Sequence, residues 1–308
     1  MEWSCIAITP KRNLAKLFST DNQQVLDYLE LFFKKHPTHN YQVMSLMVGE
    51  KLHLYDKSVR LNEKITKIDA TLVKWLGGGI PQDLVKDLYQ WTKDFIGTKT
   101  ATNHIKSRGK ITLLTWHFGR WRKYSVTESD TSLTQTEEGK MYFHLIQQHL
   151  TPIVDAAFRI NFPELRKFMV NVNGEHENNA SIAFKGFALN ASISTWHVDA
   201  HDYVNGICAL IPFGEYKQGE LVIPDLCLTF NLRPGDIFFF ASRRLIHGNL
   251  QSRGVRYSIV YFLHQVAVSD FFVRSNVFQS IEQALTYCKS HYAYKPNSPS
   301  KAKSNCSV

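Results

Sequence analysis

Apolar positions along this chain follow two periods, and the change from one to the other divides it. Residues 21–36, DNQQVLDYLELFFKKH, space their apolar side chains as one face of a helix, with Asp21 placed to cap it. Residues 41–48 and 51–56 are rich in β-forming side chains and predict short strands. The triple glycine at 77–79 breaks the pattern. Pro81 then suits the first turn of a helix that sets Leu84, Val85, Leu88 and Trp91 on one face. Residues 141–170 read as a further helix, broken near Pro152 or Pro163, and 171–179 as a polar loop. Beyond residue 206 the period shortens. GICALIPF, GELVIP, LCLTFNL, DIFFFA and RYSIVYFLH are short strand-like runs, punctuated by Pro224, Pro234 and several glycines. Many short strands with regular turns predict a closed or sandwiched β architecture.

The expected organisation is therefore α+β. A jelly-roll core spans 96–268 and is braced by helices. Residues 1–95 form a mixed, partly helical extension packed on that core. Residues 269–291 form an amphipathic C-terminal helix, and 292–308 a basic, serine-rich disordered tail. No internal repeat and no clear linker interrupts the chain.

Composition narrows the class. A chain of 308 residues, 44% hydrophobic, has ample material for a core. Its net charge of +9 favours a polyanionic partner. No run approaches the length of a transmembrane helix, so no membrane partner is expected. The opening MEWSCIAITPKRN lacks the basic-then-apolar order of a signal peptide. The five cysteines are scattered and include no C-x-x-C pair, so neither a disulfide framework nor a cysteine zinc site is implied. A reducing compartment fits: nuclear in a eukaryote, otherwise cytoplasmic, and not secreted. Residues 97–127 interleave Lys99, Lys106, Arg108, Lys110, Arg120, Arg122 and Lys123 with Trp116, His117, Trp121 and Tyr124. Such a mixture suits contacts to a phosphate backbone and stacking on bases; the alternative is a strand pair whose tryptophans are core.

The reactive groups concentrate between residues 195 and 265. His197 and Asp199 are two apart, so an extended strand projects both to one side. A jelly roll would return the distant His247 beside them. Two imidazoles and one carboxylate on one face of a metal leave positions open for other ligands, the facial triad of non-haem Fe(II) oxygenases. His201 and Asp202 are adjacent, point to opposite faces of a strand, and form a poor chelating pair. His117, His144, His149 and His176 lack ligand-like spacing and read as structural or exposed. Downstream, Arg256 and Ser258 lie in an apolar strand-like run. A guanidinium there suits the far carboxylate of a dicarboxylate, with the hydroxyl adding a second hydrogen bond. Together these residues describe an Fe(II)/2-oxoglutarate dioxygenase using O2. The triple glycine lacks the Gly-Lys-Ser/Thr of a phosphate loop and reads as a turn.

The motif resembles a narrower group. HVDAHDYVNG followed by RYSIVYFLH is similar to the TET/JBP family of Fe(II)/2-oxoglutarate-dependent nucleic-acid base dioxygenases, and to its compact fungal and protist-like TET members. The cysteine-rich zinc-binding segment of the animal members is absent. The resemblance covers about the central third of the chain. It implies a double-stranded β-helix core, His197, Asp199 and His247 as metal ligands and catalytic centre, and Arg256 with Ser258 as the 2-oxoglutarate site. It also implies Asp202 and His264 as contacts to a flipped base, and places Asn103 and Asn190 as candidates for a further upstream contact. An ionised Asp202 accepts from the N4 amino group of cytosine and opposes the O4 of thymine. The implied activity is oxidation of 5-methylcytosine in DNA to 5-hydroxymethylcytosine, and onward to the formyl and carboxyl forms, by a monomer. Thymine or RNA methylcytosine is the alternative substrate. A non-catalytic nucleic-acid-binding relative is the alternative class. For Asp202 and His264 the bland alternatives are an Asx turn and a buried strand histidine.

Overall fold

A computed structural model gives the architecture. It describes residues 4–6, 41–43, 52–55, 71–103, 106–108, 111–121, 129–191, 194, 197–223, 228–275 and 283. The helix expected over 21–36 and the tail expected over 292–308 lie outside the described residues. So does nearly all of 276–291.

The strands, in chain order, begin with β1 (Ser4–Ile6) and β2 (Tyr41–Val43), which pair with each other. They continue with β3 (Leu52–Tyr55), β4 (Thr71–Leu76), and the hairpin β5 (Lys106–Arg108) and β6 (Ile111–Leu113). Then come β7 (Thr115–Trp121), β8 (Ser129–Asp130), β9 (Gly186–Asn190) and β10 (Cys208–Gln218). The last are β11 (Leu221–Ile223), β12 (Leu228–Phe230), β13 (Ile237–Phe240), β14 (Gly248–Asn249) and β15 (Ser252–Phe262). An eight-stranded antiparallel sheet runs β3-β4-β13-β10-β15-β9-β7-β8, and a three-stranded sheet runs β12-β11-β14. The small sheet packs on the large one: Phe230 meets Phe238 edge-on at 4.6 Å and Trp75 at 6.3 Å. This is the jelly-roll, double-stranded β-helix core expected of the strand pattern, in an α+β chain.

Alternation along the strands gives the large sheet two unlike faces. Trp116, Phe118, Phe187, Leu189, Ile211, Phe213, Phe239, Ile259 and Tyr261 are all buried. Their contacts run to the helices: Phe187 stacks on Phe143 at 5.7 Å, and Phe239 lies 5.7 Å from Phe158. The helix Gln82–Ile96 adds Val85, Leu88 and Phe95, and the helix Pro163–Asn173 adds Leu165, Met169 and Val172. Buried hydroxyl pairs tie these layers together, Thr92 to Tyr142 at 2.8 Å and Thr151 to Tyr261 at 2.9 Å. Each hydroxyl thereby escapes the cost of burial without a partner. The intervening residues, among them His117, Asn190, Ser258, Val260 and Phe262, share the opposite face, because directly paired residues of antiparallel strands point the same way.

Both prolines of the long helical stretch mark boundaries. Pro152 sits in the first turn of Thr151–Asn161, and Pro163 opens Pro163–Asn173 after the non-helical Phe162. That second helix runs on to Asn173, three residues into the stretch expected to be loop. The C-terminal helix starts at Gln265 rather than 269. Strands β3 and β4 precede residue 96 yet belong to the main sheet, where β4 pairs with β13 from Val73↔Phe240 to Leu76↔Ile237.

The Arg-Pro-Gly-Asp turn before β13 explains that junction. Asp236 is buried and accepts from Trp75 Nε1 at 3.0 Å, Gly78 N at 2.8 Å and Arg233 N at 2.8 Å. The triple glycine is thus a turn whose amide is held by a carboxylate. A surface cleft of about 490 Å³ beside it is lined by Trp75, Gly77, Gly78, Gln82, Arg233, Pro234 and Asp236, and shares no residue with the site below. Asp236→Ala strands the buried Trp75 Nε1 and removes the partner of two part-buried amides, and is expected to cost about 2 kcal/mol. The check is the urea midpoint, which should fall with the slope unchanged.

Candidate active site

Two backbone bridges assemble the reactive residues. His197 and His247 exchange both hydrogen bonds of an antiparallel pair, His197 N–H to His247 O at 3.0 Å and His247 N–H to His197 O at 2.9 Å. A second bridge joins Asp202 to His264. Between them, Asp199 N–H donates to Ser242 O at 3.1 Å and Asp202 N–H to Asp199 O at 2.9 Å. The strand expected around His197 is reduced to this single bridge. The spacing still brings Asp199 beside His197, while the bridge brings His247.

His197, Asp199 and His247 form a compact cluster whose ligand atoms all lie within 4.8 Å of one another. His197 Nε2 is 3.4 Å from Asp199 Oδ1, and His247 Nε2 is 3.7 Å from Asp199 Oδ2. Protonation states suit a cation. Burial works against the charge of Asp199, but the His197 hydrogen bond and the fields of both imidazoles outweigh it, and the carboxyl titrates below its ordinary range. Burial pushes the His247 imidazole down, toward the neutral form. Its Nδ1 faces the Leu245 carbonyl at 2.9 Å. A carbonyl only accepts, so Nδ1 carries the hydrogen and Nε2 presents its lone pair. The donor set therefore fits a divalent cation such as Fe(II).

Arg256 lies on the site face of β15, opposite Gly214 of β10. Its Nε and Nη2 are buried with no hydrogen-bond partner among the described residues. The guanidinium lies 5.6 Å from the centre of the Tyr216 ring. Burial lowers its pKa, with Tyr216 and Glu220 opposing, yet a guanidinium stays charged. A buried cation with two idle donors is costly unless an anion arrives. Gly219, at φ +81°, makes room: a Cβ there would come within 3.2 Å of Arg256 Cδ and 2.9 Å of Ser252 Cβ. Ser258 is buried two residues further along the same face. The pair fits the far end of a dicarboxylate such as 2-oxoglutarate.

Asp202 and His264 are both buried, with Asp202 Oδ1 3.9 Å from His264 Nε2. Ser242 Oγ donates to Asp202 Oδ2 at 2.8 Å. Burial first, and the Asp199 charge second, push the Asp202 carboxyl well above its usual range, while Ser242 and Arg243 oppose. The sequence expectation of a freely ionised Asp202 therefore meets a desolvation cost that residue order does not reveal. His264 stacks on Phe262 at 4.7 Å with 16° between the planes. Phe262 and Ser242 are the neighbours that sequence reasoning missed. Alternation from Arg256 through Ser258 to His264 was a signal for Phe262, since it falls on the same face. Nothing in the residue order pointed to Ser242.

The remaining candidates separate. His201 is outside the metal cluster and turns its ring toward His264 at 6.3 Å. His149 packs on Trp91, and His176 accepts from Asn178 N. Trp116 is buried among core aromatics with Nε1 donating to Ala101 O at 2.9 Å, so of the two readings of this stretch the core one holds for it. Arg120 Nε lies 3.6 Å from Asp130 Oδ1. Arg122, Lys123 and Tyr124 lie outside the described residues. Asn190 faces the site, pairs in register with Ser258, and accepts from Thr115 Oγ1 at 2.9 Å, whereas Asn103 ends an exposed helical turn.

No family model and no curated protein sequence matches this chain. Solved structures do. NgTET1 in complex with 5mC DNA aligns with a TM-score of 0.54 at 19% identity, over 63% of this chain and 73% of that one. OsALKBH1 aligns at TM-score 0.39 and 16% identity, over 62% and 96%. An oxidoreductase of the 2OG-Fe(II) oxygenase family from Burkholderia pseudomallei aligns at 0.37 and 12%, over 62% and 82%. The likeness to NgTET1 is one of fold, the double-stranded β-helix. No described helix is long and apolar enough to cross a membrane.

Two outcomes follow from this geometry. Asp199→Ala or His247→Ala should weaken Co(II) binding, read from the visible absorption of the metal, by about a hundredfold or more, while His201→Ala leaves it intact. Loss of binding in His201→Ala alone would displace the assigned ligands. Arg256→Ala should raise the 2-oxoglutarate concentration required for succinate formation by about two orders of magnitude, with a smaller rise for Ser258→Ala. An unchanged requirement would remove Arg256 from the dicarboxylate site.

Proposed function

We propose that this protein is an Fe(II)/2-oxoglutarate-dependent dioxygenase that oxidises 5-methylcytosine in DNA to 5-hydroxymethylcytosine, and onward to the formyl and carboxyl forms. The observation that carries the reading is the pair of adjacent bridges: His197–His247 at the triad and Asp202–His264 immediately beside it. The first supports a metal centre. The second sets a carboxyl and an imidazole side by side next to the cluster, which supports reading them as contacts to a planar, polar group. The idle donors of buried Arg256 support 2-oxoglutarate as the cosubstrate. The fold similarity to NgTET1, a structure containing 5mC DNA, and the net charge of +9 support DNA as the polyanion.

The roles then divide by residue. His197, Asp199 and His247 hold the metal, and Arg256 with Ser258 hold the dicarboxylate. Bound iron, with 2-oxoglutarate and O2, supplies the oxidation of an unactivated C–H bond. Asp202 and His264 orient the base so that its methyl group faces the metal. Enzymes that act on a duplex base take it out of the stack, so the base is expected to flip toward the centre.

One observation favours a second substrate. A carboxyl driven toward its neutral form can donate to thymine O4 as readily as it accepts from cytosine N4. A dication bound at Asp199 offsets part of that drive, which keeps cytosine as the leading reading. Incubation with Fe(II), 2-oxoglutarate and matched oligonucleotides carrying one 5-methylcytosine or one thymine, followed by mass spectrometry of nucleosides, separates them. Wild-type protein should favour methylcytosine by about ten- to a hundredfold. Asp202→Asn, whose amide presents donor or acceptor, should narrow that ratio. Equal oxidation of both bases by wild-type protein would favour thymine as a substrate, and product from neither would remove the assignment.

A further inference from the structure

We infer that Ser242 is a specificity-determining positioning residue: it holds the carboxyl of Asp202 in the orientation that reads the base. The inference rests on the reading of Asp202 as a base contact. Ser242 lies just past β13 and is 2% exposed. Its N–H donates to Phe240 O at 3.0 Å, which fixes it to the end of that strand. Its carbonyl accepts the N–H of Asp199, and its hydroxyl donates to Asp202 Oδ2 at 2.8 Å. Asp202 N–H donates in turn to Asp199 O. One small residue therefore touches the backbone of a metal ligand and the side chain of the base reader. It closes a hydrogen-bonded ring with both.

The consequence is directional. A carboxyl bound at Oδ2 cannot rotate freely about its terminal bond, whose torsion is otherwise soft. Oδ1 is then left on the side of His264 Nε2. The 3.9 Å between those two atoms is too long for them to hydrogen-bond each other. His264 is oriented by the stacked ring of Phe262, and Ser242 does the equivalent for Asp202. Because Ser242 also anchors to Asp199, the reading atom sits at a set offset from the metal position. A base recognised by Oδ1 is thereby recognised in the place where its methyl group reacts.

The test uses the full chain and four variants: Ser242→Ala, Ser242→Thr, Asp202→Ala and the double variant Ser242→Ala/Asp202→Ala. Co(II) binding and the base ratio from matched oligonucleotides are measured for each. Ser242→Ala should lower the 5-methylcytosine-to-thymine ratio of kcat/KM by about tenfold, read at saturating Fe(II) because the same hydroxyl also meets the carboxyl of Asp199. Ser242→Thr retains the hydroxyl and should restore most of the ratio. In the Asp202→Ala background the serine change should have no further effect, a coupling that a merely structural role does not produce. A wild-type ratio in Ser242→Ala, with the ratio altered in Asp202→Ala, overturns this inference alone. Additive effects of the two changes overturn it as well. A ratio that is unmoved even in Asp202→Ala overturns the base-reading assignment, and this inference with it.

Discussion

The reciprocal backbone pair between His197 and His247 is the constraint on which the site depends. It is only two hydrogen bonds, but they join segments far apart in the chain. Only His197 has a ligand partner in its own stretch of chain, Asp199; His247 has none. The pair converts separate weak donors into one cluster whose atoms lie within 4.8 Å. The cost of closing so long a loop is met by the sheets themselves, because β10, β13 and β15 would pair and bury their aromatic residues in any case.

Everything else at the site inherits its position from sheet register. On β15, Arg256, Ser258, Val260 and Phe262 face one way, and Tyr257, Ile259 and Tyr261 face the helices. A slip of one residue would bury the guanidinium among phenylalanines and turn Tyr261 toward the metal position. The helices resist that slip. Tyr261 is locked by Thr151 and lies against Phe184 and Phe187. The packing that stabilises the fold is thus the same packing that aims the reactive face, and the two functions share strands without sharing side chains.

Burial then differentiates chemically identical groups. Asp199 and Asp202 are three residues apart, yet one is drawn toward ionisation and the other toward neutrality. Ser242 meets both carboxyls; the imidazoles around Asp199 supply the difference, while Asp202 has the charge of Arg243. Two carboxyls so close favour opposite states for the ordinary reason that like charges in a dry place repel. The division suits a metal ligand beside a hydrogen-bonding reader.

Much of this was legible before the chain was seen folded. Period-two alternation from residue 206 marked the strands, and the turn residues between them marked a jelly roll, because both signals are local. The pairing of His197 with Asp199 was legible from their two-residue spacing, whereas His247 joins them through a long-range backbone bridge. The fate of Trp116 was not legible. A tryptophan amid basic residues reads alike whether it faces solvent or core, and only the packing of Phe95 and Ala101 against it decides. The depth of Asp202 and the placement of Ser242 were equally hidden. Both depend on which segments close over them, and that is a property of long-range contact that residue order along one strand does not contain. The sequence by itself determined which side chains share a face; the tertiary structure decided what each face meets, since burial and partners arise only when distant strands come together.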